Sequence, residues 1–74
     1  SANIAEATRK RRYEKHFVSK LTDSDAENAE TQVWLEYSHA CNYIDTIKFE
    51  NLTSKSLEVG KLLNYMMNNP DKFL

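Results

Sequence analysis

The chain has 74 residues, of which 41% are hydrophobic and 28% charged, and its formal net charge is −1. That composition suits one folded domain or a piece of one and argues against a disordered tail. A single Gly and a single Pro cannot supply the turns of a sandwich or barrel, and no apolar run approaches the ~20 residues of a membrane span, so the expected fold is all-α.

Residues 2–9 are rich in helix formers and read as the end of a helix that begins upstream. Residues 10–13 form either a bend or a continuation, since nothing there is a strong breaker. A second helix is predicted from Arg12 to Cys41, with Phe17, Val18, Leu21, Val33, Trp34, Leu35 and Tyr37 among its apolar positions. Its polar stretch from Thr22 to Asn28 leaves room for a break near Thr22–Asp25, capped by Thr22 or Asp23. One continuous helix is the favoured reading.

Asn42–Asp45 reads as a turn, with Asp45 as N-cap of a last helix over Thr46–Asn68. There Phe49, Leu52, Ser56, Val59, Leu63 and Met66 recur at spacings 3, 4, 3, 4, 3, the stripe of a bundle helix, and Leu62 widens it. Ser56 suits a close helix approach, and Gly60 marks a place where a neighbour passes near. Asn68-Asn69-Pro70 stops the helix, and residues 71–74 are expected to be a tail.

The core is expected to be marginal. A chain of 8.6 kDa buries about 7,800 Å² on folding. If somewhat over half is apolar, the gain is ~110 kcal/mol. Ordering 74 residues at ~1.5 kcal/mol each costs about the same. Packing against copies, or a missing segment, would tip that balance. The chain begins at Ser1, not Met, so the expectation is one helical-bundle domain over 1–74, incomplete at its N-terminus.

Charge is placed unevenly. Residues 1–20 hold six bases and two acids (+4), residues 21–45 six acids and no Lys or Arg (−6), and residues 46–74 four Lys and three acids (+1). Three readings stay open: a solvated face, self-association in which the basic end of one subunit meets the acidic middle of another, or phosphate binding by Arg9, Lys10, Arg11, Arg12, Lys15 and Lys20. Tyr13 and His16 lie near enough to assist the last. Four consecutive bases wrap around a helix, which weakens it.

Catalytic motifs are thin. Glu36-x-x-His39 has the spacing of a di-iron bundle ligand pair, but such sites need two of these motifs and two further Glu. Trp34 and Tyr37 fit a core or a subunit interface, and Cys41 fits a half-buried structural thiol. No cofactor, metal or small-molecule substrate is implied. Asn51-Leu52-Thr53 is a chance glycosylation match on a helix. The single Cys rules out an internal disulfide and fits a cytoplasmic location.

Several short blocks point to one family. Asn3-Ile4-Ala5-Glu6-Ala7 resembles the Asn-Ile-Ala-Glu-Gly/Ala signature of bacterial four-helix bundle proteins encoded within intervening sequences of 23S ribosomal RNA genes. Phe17-Val18-Ser19-Lys20-Leu21 is similar to that family's Phe-Ile-x-Lys-Leu, Glu30-Thr31-Gln32-Val33-Trp34-Leu35-Glu36 to its Glu-Thr-x-x-Trp-Leu-Glu, and Asn42-Tyr43-Ile44 to its Gly-Tyr-Leu/Ile. The matches fall in order between residue 1 and about residue 66. The resemblance implies an antiparallel up-and-down four-helix bundle whose first helix lies outside this chain, leaving the end of helix two, then helices three and four. It also implies a homo-oligomer, often a pentameric ring, and no enzymatic activity is established for that family. A related accessory protein of diversity-generating retroelements is a pentameric barrel that binds nucleic acid and a reverse transcriptase. The chain departs from the pattern at Asp23, Ser24 and Asp25, where the family is apolar, so this stretch is expected to be exposed or to meet a neighbour's bases. The resulting reading is a non-catalytic helical-bundle protein acting by self-association and macromolecular contacts. The alternative is an RNA- or DNA-binding accessory factor using the basic segment 9–20.

Overall fold

Neither Gly nor Pro occurs before Gly60, so no residue in the first half of the chain forces a helix to stop. The computed structural model describes residues 2–74, Ala2 through its backbone only. It shows α1 over Ala2–Ala40, α2 over Thr46–Asn68, and a 3-10 turn over Pro70–Lys72. Of the two alternatives for residues 10–13, a bend or a continuation, the structure shows the continuation, so the segment ending near Arg9 and the helix expected from Arg12 are one helix. The three expected segments become two, and the described residues form an all-helical hairpin.

The polar stretch does not break α1 either. Thr22 Oγ1 donates back to Val18 O at 2.9 Å and Thr31 Oγ1 to Glu27 O at 3.1 Å. These hydroxyls satisfy themselves on the preceding turn and leave the helix intact. Asp23, Ser24 and Asp25 are exposed, as their cost of burial demands.

α1 stops through a Schellman arrangement. Asn42 adopts φ 61°, the left-handed conformation that Asn tolerates better than most residues. Its N–H donates to His39 O (3.1 Å), and the N–H of Tyr43 donates to Ser38 O (2.8 Å). Asp45 then caps α2, its Oδ1 accepting from Lys48 N at 2.7 Å. At the far end Asn69 Nδ2 donates to Tyr65 O, and Pro70 opens the 3-10 turn.

The helices pack antiparallel. At the turn, His39 stacks on Phe49 with ring centroids 4.3 Å apart, and its Nε2 lies 3.1 Å from Thr46 Oγ1. Midway, Asn28 meets Ser56 through two hydrogen bonds. At the open end the residues expected to be a tail fold back: the Phe73 ring lies 6.4 Å from Phe17 and 6.0 Å from Tyr65, and Lys72 Nζ donates to Tyr65 Oη at 3.0 Å.

Along α1, Glu14, Leu21, Asn28 and Leu35 recur every seventh residue on the side facing α2, all buried or half-buried. Along α2 the same side carries Phe49, Thr53, Ser56, Gly60 and Leu63. This revises the expected stripe, because Leu52 and Val59 are displaced to an exposed flank. The small residues Ser56 and Gly60 draw the backbones together, and the contact centres on them. A Cβ at Gly60 would lie 3.3 Å from Asn28 Nδ2.

Only Leu21 and Ser56 are buried among the described residues. The hairpin measures 62 × 16 × 11 Å with a radius of gyration of 17.6 Å, against about 11 Å for a compact chain of this length. From their residue counts, α1 outruns α2 by roughly 24 Å.

Candidate functional site

The candidate residues named from the sequence lie on helix faces. Among the described residues no group of three His, Cys, Asp or Glu is placed to hold a metal ion. His39 of the Glu36-x-x-His39 pair is engaged with Phe49 and Thr46. Cys41 is exposed in the turn, which corrects the expectation of a half-buried thiol. No described helix is long and apolar enough to cross a membrane.

The six basic candidates all lie on α1, and all are exposed. Their helical spacing sorts them. Consecutive residues advance by about 100°, so Arg9, Lys10, Arg11 and Arg12 point around a full turn. Arg9, Arg12 and Lys20 fall within one arc, together with His16, at spacings 3, 4, 4. Arg11 and Lys15, four apart, form a second row. Lys10 points along the side that faces α2. Two shallow clefts at this end mix charges: Glu6 joins Arg9, Lys10, Tyr13 and Leu74 in one, and Glu14 joins Arg11, Lys15, Val18, Ser19 and Pro70 in the other. These carboxylates dilute any phosphate-binding field.

The second candidate is the side of α1 turned away from α2. Trp34 and Tyr37 sit there, 66% and 55% exposed, with ring centroids 6.1 Å apart in an edge-to-face arrangement. Val33 extends the patch, 64% exposed. Their one-turn spacing was visible in the sequence. Their exposure was not, since Leu35 beside them does face α2. On α2, Leu52, Val59 and Leu62 add a further exposed apolar flank.

These features define a small protein whose described residues form an all-helical hairpin. The family model described as 23S rRNA-intervening sequence protein matches residues 1–65, and the chain belongs to that family. No curated protein and no solved structure matches it.

Proposed function

We propose that this family member acts without catalysis, as a cytoplasmic homo-oligomer whose exposed helix faces are covered by copies of itself and by a macromolecular partner. The supporting observation is surface area. The chain exposes 6046 Å², whereas a compact monomer of its mass exposes about 4,700 Å². The excess is larger than the ~800 Å² that each partner contributes to a standard interface. Val33, Trp34 and Tyr37 are exposed, and aromatic residues are enriched at subunit contacts. Light scattering from low micromolar to submillimolar concentration tests the reading. A mass that is a multiple of 8.6 kDa is expected, five copies being the count implied by the family resemblance. A monomer throughout overturns it.

A second reading, nucleic-acid binding, is favoured by the arc of Arg9, Arg12 and Lys20. Three phosphate contacts on a duplex would make log affinity fall with log salt at a slope of about −3. The double change Arg9→Glu and Arg12→Glu, both within that arc, should abolish binding of RNA or DNA. Binding that is absent at low salt, or indifferent to that double change, removes this reading.

A further inference from the structure

We propose that the exposed apolar row of α2 packs on a row of small residues on α1 of the next copy, so that one face of the hairpin meets the other in a contact that repeats from copy to copy. The proposal rests on the self-association reading and specifies its contact.

The two faces of the hairpin differ. On α2, Leu52, Val59, Leu62 and Met66 each directly precede a residue on the side facing α1: Thr53, Gly60, Leu63 and Met67. They are therefore turned about 100° to one side of the helix contact. Leu52, Val59 and Leu62 are 38%, 47% and 56% exposed. The opposite face holds a shallow cleft between the helices, with Asp25, Gln32, Lys61 and Asn64 in its walls and Ala29 on its α1 side. Ala26, Ala29, Val33 and Ala40 recur along α1 there at spacings 3, 4, 7, and all four are exposed. Large apolar residues thus lie on one face and small ones on the other, and a single chain cannot bring them together.

Two copies can. Read from its C-terminal end, the α2 row Met66, Leu62, Val59, Leu52 has spacings 4, 3, 7. An antiparallel α1 offers Thr22, Ala26, Ala29, Glu36 at the same spacings. Leu62 then lies level with Ala26 of the partner subunit, and Val59 with the partner's Ala29. Large side chains over small ones let helix axes come close. The charges agree: Lys48 and Lys55 stand one turn to either side of the partner's Glu36, and all three positions are exposed. Tyr37, one turn beyond Val33, carries the contact to its rim, where its ring stands edge-on to Trp34. Each α2 is placed between its own α1 and the next, so every helix runs antiparallel to its neighbours. The two rows are different surfaces, so the contact is heterologous. It demands no even count and can close into a ring.

Face-specific variants test the contact. Val59→Lys spoils the α2 row and Ala29→Lys the α1 row, and each is expected to weaken self-association about tenfold or more. Each variant keeps one sound face. An equimolar mixture should therefore form a one-to-one pair and stop there, with twice the chain mass. Sedimentation equilibrium reads the masses, and far-UV circular dichroism checks that these changes at exposed positions leave the helices intact. Several outcomes overturn the contact while self-association stands: single variants that assemble like the parent, a mixture that stays monomeric or regains the parent mass, or a parent that stops at two copies. A parent chain that stays monomeric overturns both.

Discussion

Asn28 and Ser56 form a reciprocal pair across the hairpin: Asn28 Nδ2 donates to Ser56 O at 2.9 Å, and Ser56 Oγ donates to Asn28 Oδ1 at 2.8 Å. Both bonds lie beside Gly60, which leaves the space that the Asn28 amide fills. Sliding α2 by one turn would separate the groups and leave them partly buried without partners. The pair therefore selects one register among the several that a small-residue contact would accept.

Coupling should be measurable. Asn28→Ala is expected to cost about 1–3 kcal/mol in urea denaturation, because the Ser56 hydroxyl is left unsatisfied. Gly60→Ala gains up to ~1 kcal/mol of helix propensity, but its new methyl crowds the Asn28 amide. That gain should be small in the parent and appear in full in the Asn28→Ala background. Equal gains in both backgrounds would contradict the close approach.

Thr53 carries the opposite case. Its Oγ1 is buried on the α2 side of the contact and has no hydrogen-bond partner among the described residues. Thr53→Val keeps the shape and removes the orphaned hydroxyl. It is expected to raise stability by about 1 kcal/mol, read as a higher denaturation midpoint with an unchanged slope.

The turn depends on two residues. Asp45→Ala removes the acceptor for Lys48 N and should cost ~1 kcal/mol. Asn42 sits at φ 61°, so Asn42→Val should cost about 1–2 kcal/mol, whereas Asn42→Gly should be close to neutral. Thermal melts of the three variants rank them, and a Val variant as stable as the Gly variant would contradict the turn geometry.

Phe73 ties the C-terminal 3-10 turn to both helices through Phe17 and Tyr65. Truncation by Phe73→Ala should speed amide exchange at residues 69–74 more than at the His39–Phe49 end. Uniform acceleration along the chain would mean that the contact contributes to global rather than local stability.

Trp34 is the single tryptophan and reports on the outward face of α1. Dilute protein should emit like solvated indole. Self-association through that face should shift the emission to shorter wavelength as concentration rises. Assembly detected by mass without such a shift would place the interface elsewhere.

Much of this was legible in the sequence for identifiable reasons. Asp45 stood before a periodic run, so its cap could be named. Ser56 and Gly60 were the small positions of that run, and the structure puts them at the close approach to Asn28. The family resemblance lay in contiguous blocks and needed no geometry. Leu52 and Val59 were harder to place: a stripe of period 3.5 is wide enough to face two neighbours, and the spacing does not say which edge a single partner takes. Phe73 was unreadable for another reason, since its partners Phe17 and Tyr65 are distant in sequence.

By itself the sequence determined the helical character of this protein, the turn between its long helices, the segregation of basic and acidic blocks, and its family. These are local properties, set by propensity, capping groups and residue order. Tertiary structure alone decided that Asn28 answers Ser56 and that Trp34 and Tyr37 face outward. Each of these depends on which side of a helix its neighbour occupies. Two residues of displacement turn a side chain to the opposite face, and only the packing of α1 against α2 fixes that rotation.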